Sequence, residues 1–193
     1  MREILNTSGK LLCRSRKRSV RAAVEEAVSL GISLKEANLQ GARLTGAELA
    51  NADLQDACLV GANLLGACLA GANMHRTDLR WACLYDAGLM DVNLKGADFF
   101  GAILGSTKLY DAKLACVRNM LILGPMGSRE DFLYAVRGPK GVKVQAGCCF
   151  KSIRDFLKEV DEKHGDNEHA RNYRAAAEMI KAWAENTGGQ PQE

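Results

Sequence analysis

The sequence predicts a repeat solenoid over residues 32–117, preceded by a hairpin-helix cap over residues 1–31 and followed by a small α+β module over residues 118–193. Three observations predict this. An apolar residue recurs at every fifth position, the recurrence stops after Val117, and strand-like and helix-like patterns follow it. A period of five fits neither the 3.6-residue turn of a helix nor the alternation of a strand, so the repeat itself must set the architecture.

The five-residue repeat keeps its register without an insertion from Leu34 to Leu114, which gives seventeen centre positions. The centres are leucine except at Met74 and Phe99, and a small residue, usually alanine, stands two places before each centre from Leu39 onward. A single step cannot bury its own leucine, so stacked steps must share one continuous core. Three of the small positions carry a different residue: Thr77, Val92 and Thr107.

Individual steps follow the pattern A(N/D)LxG, as in Ala37-Asn38-Leu39, Ala52-Asp53-Leu54 and Ala62-Asn63-Leu64. Over about 86 residues this pattern resembles the pentapeptide-repeat family. The resemblance implies a mainly β fold, a right-handed quadrilateral β-helix with four steps per coil. The centre and the preceding alanine then point inward, the other three positions face water, and residues twenty apart stack on one another. Glycine at the third outward position permits unusual backbone angles.

The N-terminal segment is expected to cover the open end of the solenoid, since terminal repeats expose apolar interior and unpaired backbone. Strands over Glu3–Leu5 and Lys10–Cys13 form the predicted hairpin. Ser19 is the predicted N-cap of a helix over Val20–Leu30.

The net charge of +3 comes mainly from residues 1–31, which carry seven basic and three acidic side chains. Two interpretations of the basic segment stay open. It either binds a nucleic acid or an acidic partner, or it is a solvated loop and helix start. The absence of an interleaved aromatic residue favours the second. The candidate basic patch comprises Arg14, Arg16, Lys17, Arg18 and Arg21.

The stacking rule places several apolar side chains at outward positions of the upper coils. Trp81 stands in a column whose other members are Gly41, Gly61 and Gly101, so its ring can lie across a glycine. An outward apolar cluster indicates either a contact surface or a region that the C-terminal segment covers. The candidate partner surface comprises Trp81, Tyr85, Met90, Phe100, Ile103 and Tyr110.

Acidic side chains also stack, with Asp78 under Asp98 and Asp91 under Asp111. The resemblance to topoisomerase-protecting pentapeptide-repeat proteins implies DNA mimicry. Residues 32–117, however, carry nine acidic and seven basic side chains, a balance of −2, which disfavours mimicry along the whole rod. Mimicry by one face, binding a topoisomerase or another DNA-binding complex, stays open. The candidate acidic patch comprises Asp86, Asp91 and Asp111.

The sequence pattern of the C-terminal module predicts an antiparallel strand meander followed by two helices. A turn is expected over Gly124–Arg129, and residues 188–193 are expected to form a disordered tail. The module resembles, loosely, a C-terminal module beside pentapeptide repeats in phage-type proteins. The predicted strands are Met120–Leu123, Phe132–Arg137 and Val142–Ala146, and the predicted helices are Ile153–Lys163, opened by a Ser152–Asp155 capping box, and Glu168–Ala184.

The sequence predicts no enzyme and no cofactor. No catalytic set has convincing spacing, and the seven cysteines include no CxxC pair. His164 and His169 flank Asp166, but they fall on a predicted helix–helix loop, so we expect no metal there. An apolar membrane span and a signal segment are lacking, which predicts a cytoplasmic protein. The resulting hypothesis is a binding protein that presents a rigid surface to a protein partner, a bacterial host or defence complex, with a homodimer possible.

Overall fold

The computed structural model describes residues 1–109, 111–114, 117–126, 131–146 and 149–186. The chain divides into two compact units, Met1–Arg118 and Asn119–Glu193. Among the described residues, no helix combines the length and the apolar character needed to cross a membrane. The predicted disordered tail lies outside the described residues.

The first unit is a stack of coils in which residues twenty apart pair in parallel. Asn63 bridges to Cys83, and Cys83 bridges in turn to Ile103. The backbone N–H of Leu39 donates to the carbonyl of Cys58 at 2.8 Å, and the same pattern recurs up the stack. The structure therefore confirms the twenty-residue stacking rule, with four five-residue steps in each coil.

A tight turn follows every centre. The N–H three residues after the centre donates back to the centre's carbonyl, as from Ala37 to Leu34 at 2.9 Å. The residue two places after each centre, from Glu36 to Asp111, has a φ between 55° and 71°. Glycine at many of these positions, as the sequence predicts, reduces the steric cost of this left-handed backbone.

The centres form an apolar column along the axis of the coils. Every centre from Leu34 to Leu109 keeps at most 6% of its surface exposed, and Leu114 is half-buried. The residue two places before the centre also points inward. The hydroxyls of Thr77 and Thr107 donate to the carbonyls of Leu54 at 2.9 Å and Leu84 at 2.7 Å. Valine is accommodated at the same kind of position, fully buried, at Val92.

An antiparallel hairpin and a helix cap the first coil. Strand β1 (Arg2–Leu5) pairs with β2 (Leu11–Ser15), and helix α1 spans Val20–Ser29. The hydroxyl of Ser19 accepts the N–H of Ala22 at 3.1 Å, which confirms the predicted N-cap.

The cap satisfies part of the first coil's lower backbone edge. The hairpin does so where the N–H of Asn38 donates to the carbonyl of Leu5 at 2.8 Å. Helix α1 does so by side chains: Arg21 donates to the carbonyl of Thr45 at 2.9 Å. Glu25 accepts the N–H of Glu48 at 3.1 Å. These contacts give the predicted capping role a physical basis, because the edge would otherwise expose unpaired groups.

The second unit packs two helices on an antiparallel sheet of strand order β3-β4-β5-β6. Its apolar core includes Leu133, Val144, Phe156 and Ile180. The elements are β3 (Met120–Met126), β4 (Asp131–Gly138), β5 (Gly141–Ala146), β6 (Cys149–Ser152), α2 (Ile153–His164) and α3 (Glu168–Asn186).

Two details of this sheet differ from expectation. The predicted turn over Gly124–Arg129 is wrong for Gly124, Pro125 and Met126, because all three lie in β3; residues 127–129 are outside the described part. Strand β3 is an edge strand, where a proline can be accommodated without breaking a central ladder. Sequence analysis also missed β6, a four-residue strand that takes its register from β5.

Candidate functional site

The sides of the solenoid differ in chemistry, and one of them is occupied by its own polar ladder. The hydroxyl of Ser33 donates to Asp53 at 2.5 Å. The amide of Asn73 donates to Asp53 at 3.0 Å, and that of Asn93 donates to Asn73 at 3.0 Å. These groups therefore satisfy one another from coil to coil, while the exposed Lys35 and Lys95 follow the centres of the same side.

The stacked pair Asp78 and Asp98 is neutralised by arginines. Arg80 donates to both carboxylate oxygens of Asp78, and Arg118 lies 3.5 Å from Asp98. Burial alone raises the pKa of Asp78, yet the Arg80 hydrogen bonds hold it below its ordinary value. Asp98 is only 8% exposed, so the expectation that every outward position faces water is wrong there.

A second carboxylate is neutralised in the same way. Arg76 donates to both carboxylate oxygens of Asp56, one coil below, at 2.6 and 2.8 Å. These hydrogen bonds outweigh desolvation and lower the pKa of Asp56 to about 2.

The side of the coils opposite the polar ladder carries an apolar surface whose aromatic rings lie against two glycines. The ring of Trp81 lies against Gly101, and a Cβ at that glycine would come within 2.6 Å of the Trp81 ring. The ring of Tyr85 lies against Gly105 in the same way, at 2.5 Å. Ile103 stands midway between the two glycines along the chain. Two aromatic rings and one isoleucine therefore lie near one another on one side of the coils.

Two further residues extend this surface. Phe100 is half-buried and packs edge-on against Trp81, with ring centroids 5.4 Å apart and an interplanar angle of 86°. Leu65 stands one coil below Tyr85 and is 42% exposed. Sequence analysis did not select Leu65, although the stacking rule places it in the Tyr85 column. We call Leu65, Trp81, Tyr85, Phe100 and Ile103 the apolar patch.

The remaining two residues of the candidate partner surface do not belong to this patch. Met90 is 49% exposed, but it follows the centre of the next side, five residues beyond Tyr85 along the coil. Tyr110 lies outside the described residues. The structure thus brings together four of the six candidates and places Met90 on the next side of the coil.

Trp81 has an unfavourable backbone conformation. Its φ is +64°, in the left-handed region that glycine adopts at the equivalent positions of its column. A bulky residue in this region is uncommon and carries a steric cost. The coil imposes this conformation at every turn position, including Glu36 and Arg76, so the feature particular to Trp81 is its exposed ring and not its backbone.

The candidate acidic patch has a structural explanation. Asp86, Asp91 and Asp111 all occupy the left-handed turn position, with φ of 58°, 56° and 55°. Aspartate and asparagine are the residues that tolerate this conformation best after glycine. All three are exposed, but Asp86 stands one corner before the other two. Their presence therefore follows from the turn geometry without requiring a partner.

Two of the five residues in the candidate basic patch form salt bridges. Arg14 pairs with Glu3 at 2.9 Å, and Arg21 pairs with Glu25 at 2.9 Å. The other three, Arg16, Lys17 and Arg18, are exposed and form no salt bridge with any residue the structure describes.

The two histidines of the second unit lie where α2 ends and α3 begins. Their rings are 6.1 Å apart, and His164 also contacts Tyr173 at 5.7 Å. Asn167 caps α3 by accepting the N–H of Ala170 at 2.9 Å. Within the described residues, no group of three or more His, Cys, Asp or Glu side chains is arranged to hold a metal ion.

Comparison with solved structures finds other pentapeptide repeat proteins. One from the cyanobacterium Cyanothece 51142 is 33% identical, over 45% of this chain and 59% of its own, with a TM-score of 0.45. One from the Arabidopsis thaliana thylakoid lumen is 30% identical, over 44% of this chain and 61% of its own, with a TM-score of 0.36. The chain thus spans about three-fifths of these two proteins.

A third, from Nostoc PCC 7120, is 36% identical over 50% of this chain and 75% of its own, with a TM-score of 0.26. No curated protein matches the chain. The model of the family described as pentapeptide repeats matches in eight copies, over residues 31–66 and 59–89. Since these copies fall on the five-residue register that builds the coils, the chain belongs to the pentapeptide-repeat family.

Proposed function

We propose that the protein is a non-enzymatic binding protein whose right-handed, four-sided β-helix presents the apolar patch to a protein partner. Pentapeptide-repeat proteins are generally structural or binding proteins rather than enzymes. The observation that carries the proposal is the exposure of three large apolar side chains, Trp81, Ile103 and Tyr85, on one side of the coils. Each of these side chains keeps between 43 and 47% of its surface exposed.

The composition of the patch fits the centre of a protein interface. Aromatic residues are enriched in interface cores, and tryptophan and tyrosine are frequent hot spots. The rings of Trp81 and Tyr85 are held against glycine backbone, so little side-chain entropy is lost when a partner covers them. The rigid coil beneath also fixes their spacing, because each step is bonded to the coils above and below.

Crosslinking with matched positions tests the proposal. A photoreactive residue is placed at Ile103 or at Lys108, both exposed and both immediately before a centre, on neighbouring sides of one coil. We expect a discrete crosslinked protein from bacterial lysate at position 103 and none at position 108. The variant Ile103→Asp should weaken binding of that protein by roughly thirtyfold or more, while Lys108→Asp leaves it unchanged.

Identical crosslinks from both positions, or none from either, would overturn the proposal. Crosslinking of one copy to another at position 103 identifies the partner as a second copy, and sedimentation of wild type and Ile103→Asp then measures the dimer. An intramolecular crosslink from position 103 to residues 119–193 would show that the chain covers its own patch, which also contradicts a partner surface.

DNA mimicry is a weaker alternative. Asp56, Asp78 and Asp98 each pair with an arginine, which removes three negative charges from the surface available to a DNA-binding protein. A DNA gyrase supercoiling assay tests it directly. Inhibition or protection that is lost in Asp91→Asn and Asp111→Asn would revive this function, and an unaffected assay eliminates it.

Direct nucleic-acid binding is the third candidate. Arg16, Lys17 and Arg18 support it, because they are exposed and form no salt bridge within the described ranges, and it requires DNA retention that falls steeply with salt. Retention that persists after all three are replaced by glutamine would contradict it. A bacterial host or defence complex as the partner, a phage-type origin and a cytoplasmic location stay predictions.

A further inference from the structure

A groove lies between the N-terminal cap and the first coil of the solenoid. The groove is open to solvent and has a volume of about 470 Å³. Its lining includes the buried apolar residues Ile4 and Leu39 and three arginines distant in sequence, Arg2, Arg18 and Arg43. The Nε of Arg2 donates to the carbonyl of Arg18 at 3.2 Å, which holds the Arg2 side chain beside the start of helix α1.

The charge in the groove is predominantly positive. None of the three arginines forms a salt bridge with a residue that the structure describes. Glu3 also lines the groove, but its carboxylate is paired with Arg14 at 2.9 Å. The first turn of helix α1 begins at the groove and carries no acidic residue.

The backbone of the first coil is left uncovered at this groove. The hairpin takes the edge N–H of Asn38, and Glu25 takes that of Glu48. The equivalent N–H of Arg43, midway between them, has no hydrogen-bond partner among the described residues. An acceptor atom bound in the groove can therefore complete the edge that the cap leaves open.

We propose that this groove binds a small organic phosphate the size of a nucleotide. Guanidinium groups pair with phosphate oxygens by charge-assisted hydrogen bonds, and the Arg43 N–H adds a backbone donor. The volume lies within the range of ligand pockets. The side chains of Asn38 and Gln40 add amide groups to the lining.

Calorimetric titration of the full chain tests the site with four probes: adenosine monophosphate, inorganic phosphate, adenosine and a single-stranded oligonucleotide. We expect the monophosphate to bind, inorganic phosphate to compete with it, and adenosine to fail. Arg43→Gln should weaken monophosphate binding by roughly tenfold or more, because one charged hydrogen-bond donor is lost. Glu3→Gln should strengthen it.

Arg16→Gln is the matched control, since Arg16 is exposed, lies outside the groove and forms no salt bridge with the part of the chain that the structure describes. It should leave the affinity unchanged. Failure of the monophosphate to bind would overturn the proposal, as would equal weakening by Arg16→Gln and Arg43→Gln. Binding of the oligonucleotide alone, lost in Arg16→Gln, would also refute the groove and assign the charge to nucleic-acid binding by the basic patch.

Discussion

The contact of Trp81 with Gly101 predicts that two chemically identical substitutions will differ in cost. Gly61 and Gly101 belong to one column, with φ of +64° and +71°. A Cβ at Gly61 would meet nothing within 4 Å, whereas a Cβ at Gly101 would lie 2.6, 2.9 and 3.0 Å from three ring atoms of Trp81. Gly61→Ala therefore measures the backbone cost alone, and Gly101→Ala adds the displacement of the ring.

The expected magnitudes separate the two variants. An alanine in the left-handed region costs about 1–2 kcal/mol, and this term is common to both. Overpacking against the ring adds about 1–3 kcal/mol at Gly101 if the side chains stay in place. If the half-exposed Trp81 ring swings away instead, the energetic difference shrinks but its fluorescence changes.

Urea unfolding followed by tryptophan fluorescence reads out both effects. The chain contains two tryptophans, so a Trp183→Phe background makes Trp81 the reporter. We expect Gly101→Ala to lower the unfolding midpoint further than Gly61→Ala, or to shift the native Trp81 emission to the red. Equal midpoints together with identical native spectra would refute the placement of the ring and, with it, the shape of the apolar patch.

Three further predictions concern the stability of the coils. Leu64→Ala should destabilise the protein by about 3–5 kcal/mol in urea unfolding, because Leu64 is fully buried, whereas Leu65→Ala should change it by less than about 0.5 kcal/mol. Thr77→Val should cost about 1 kcal/mol, since valine fits this inward position but the buried carbonyl of Leu54 then keeps only the N–H of Ala57 as its donor; no loss of stability would contradict the Thr77 hydrogen bond. Because the pKa of Asp56 is lowered in the folded state, the ion pair with Arg76 stabilises the protein above the usual pKa of 3.8, and this stabilisation is lost as the pH falls towards about 2. In Asp56→Asn the urea midpoint should therefore depend less on pH between these two values. A pH dependence identical to that of the wild type would exclude the pairing.

Local patterns were sufficient for the secondary structure that depends on neighbours in sequence. Ser19 and Ser152 cap their helices as predicted, because an N-cap needs only the following turn. The turn assigned to Gly124 was wrong, because pairing with β4 carries the strand on to Met126. Strand β6 escaped detection for the same reason: four residues carry little pattern, and their register comes from β5.

The candidate site was predictable in position but not in shape. Stacking arithmetic put Trp81, Tyr85, Phe100 and Ile103 at outward positions, and it also places Leu65 in the Tyr85 column. The same arithmetic places Met90, five residues beyond Tyr85, on the next side, but the candidate surface was chosen by outward position and did not use the side. The phosphate groove had no sequence signal, since Arg2, Arg18 and Arg43 come together only through the folding of the cap onto the first coil.

The sequence by itself determined the period of five, the pairing of residues twenty apart and the identity of the buried leucines. These follow from a repeat in which each step sees the same neighbours, so one rule serves the whole stack. Only the tertiary structure decided which glycines support a ring, which aspartates meet an arginine and which backbone N–H stays open. Those outcomes depend on rotamers and contacts between different coils and the cap, which no local pattern encodes.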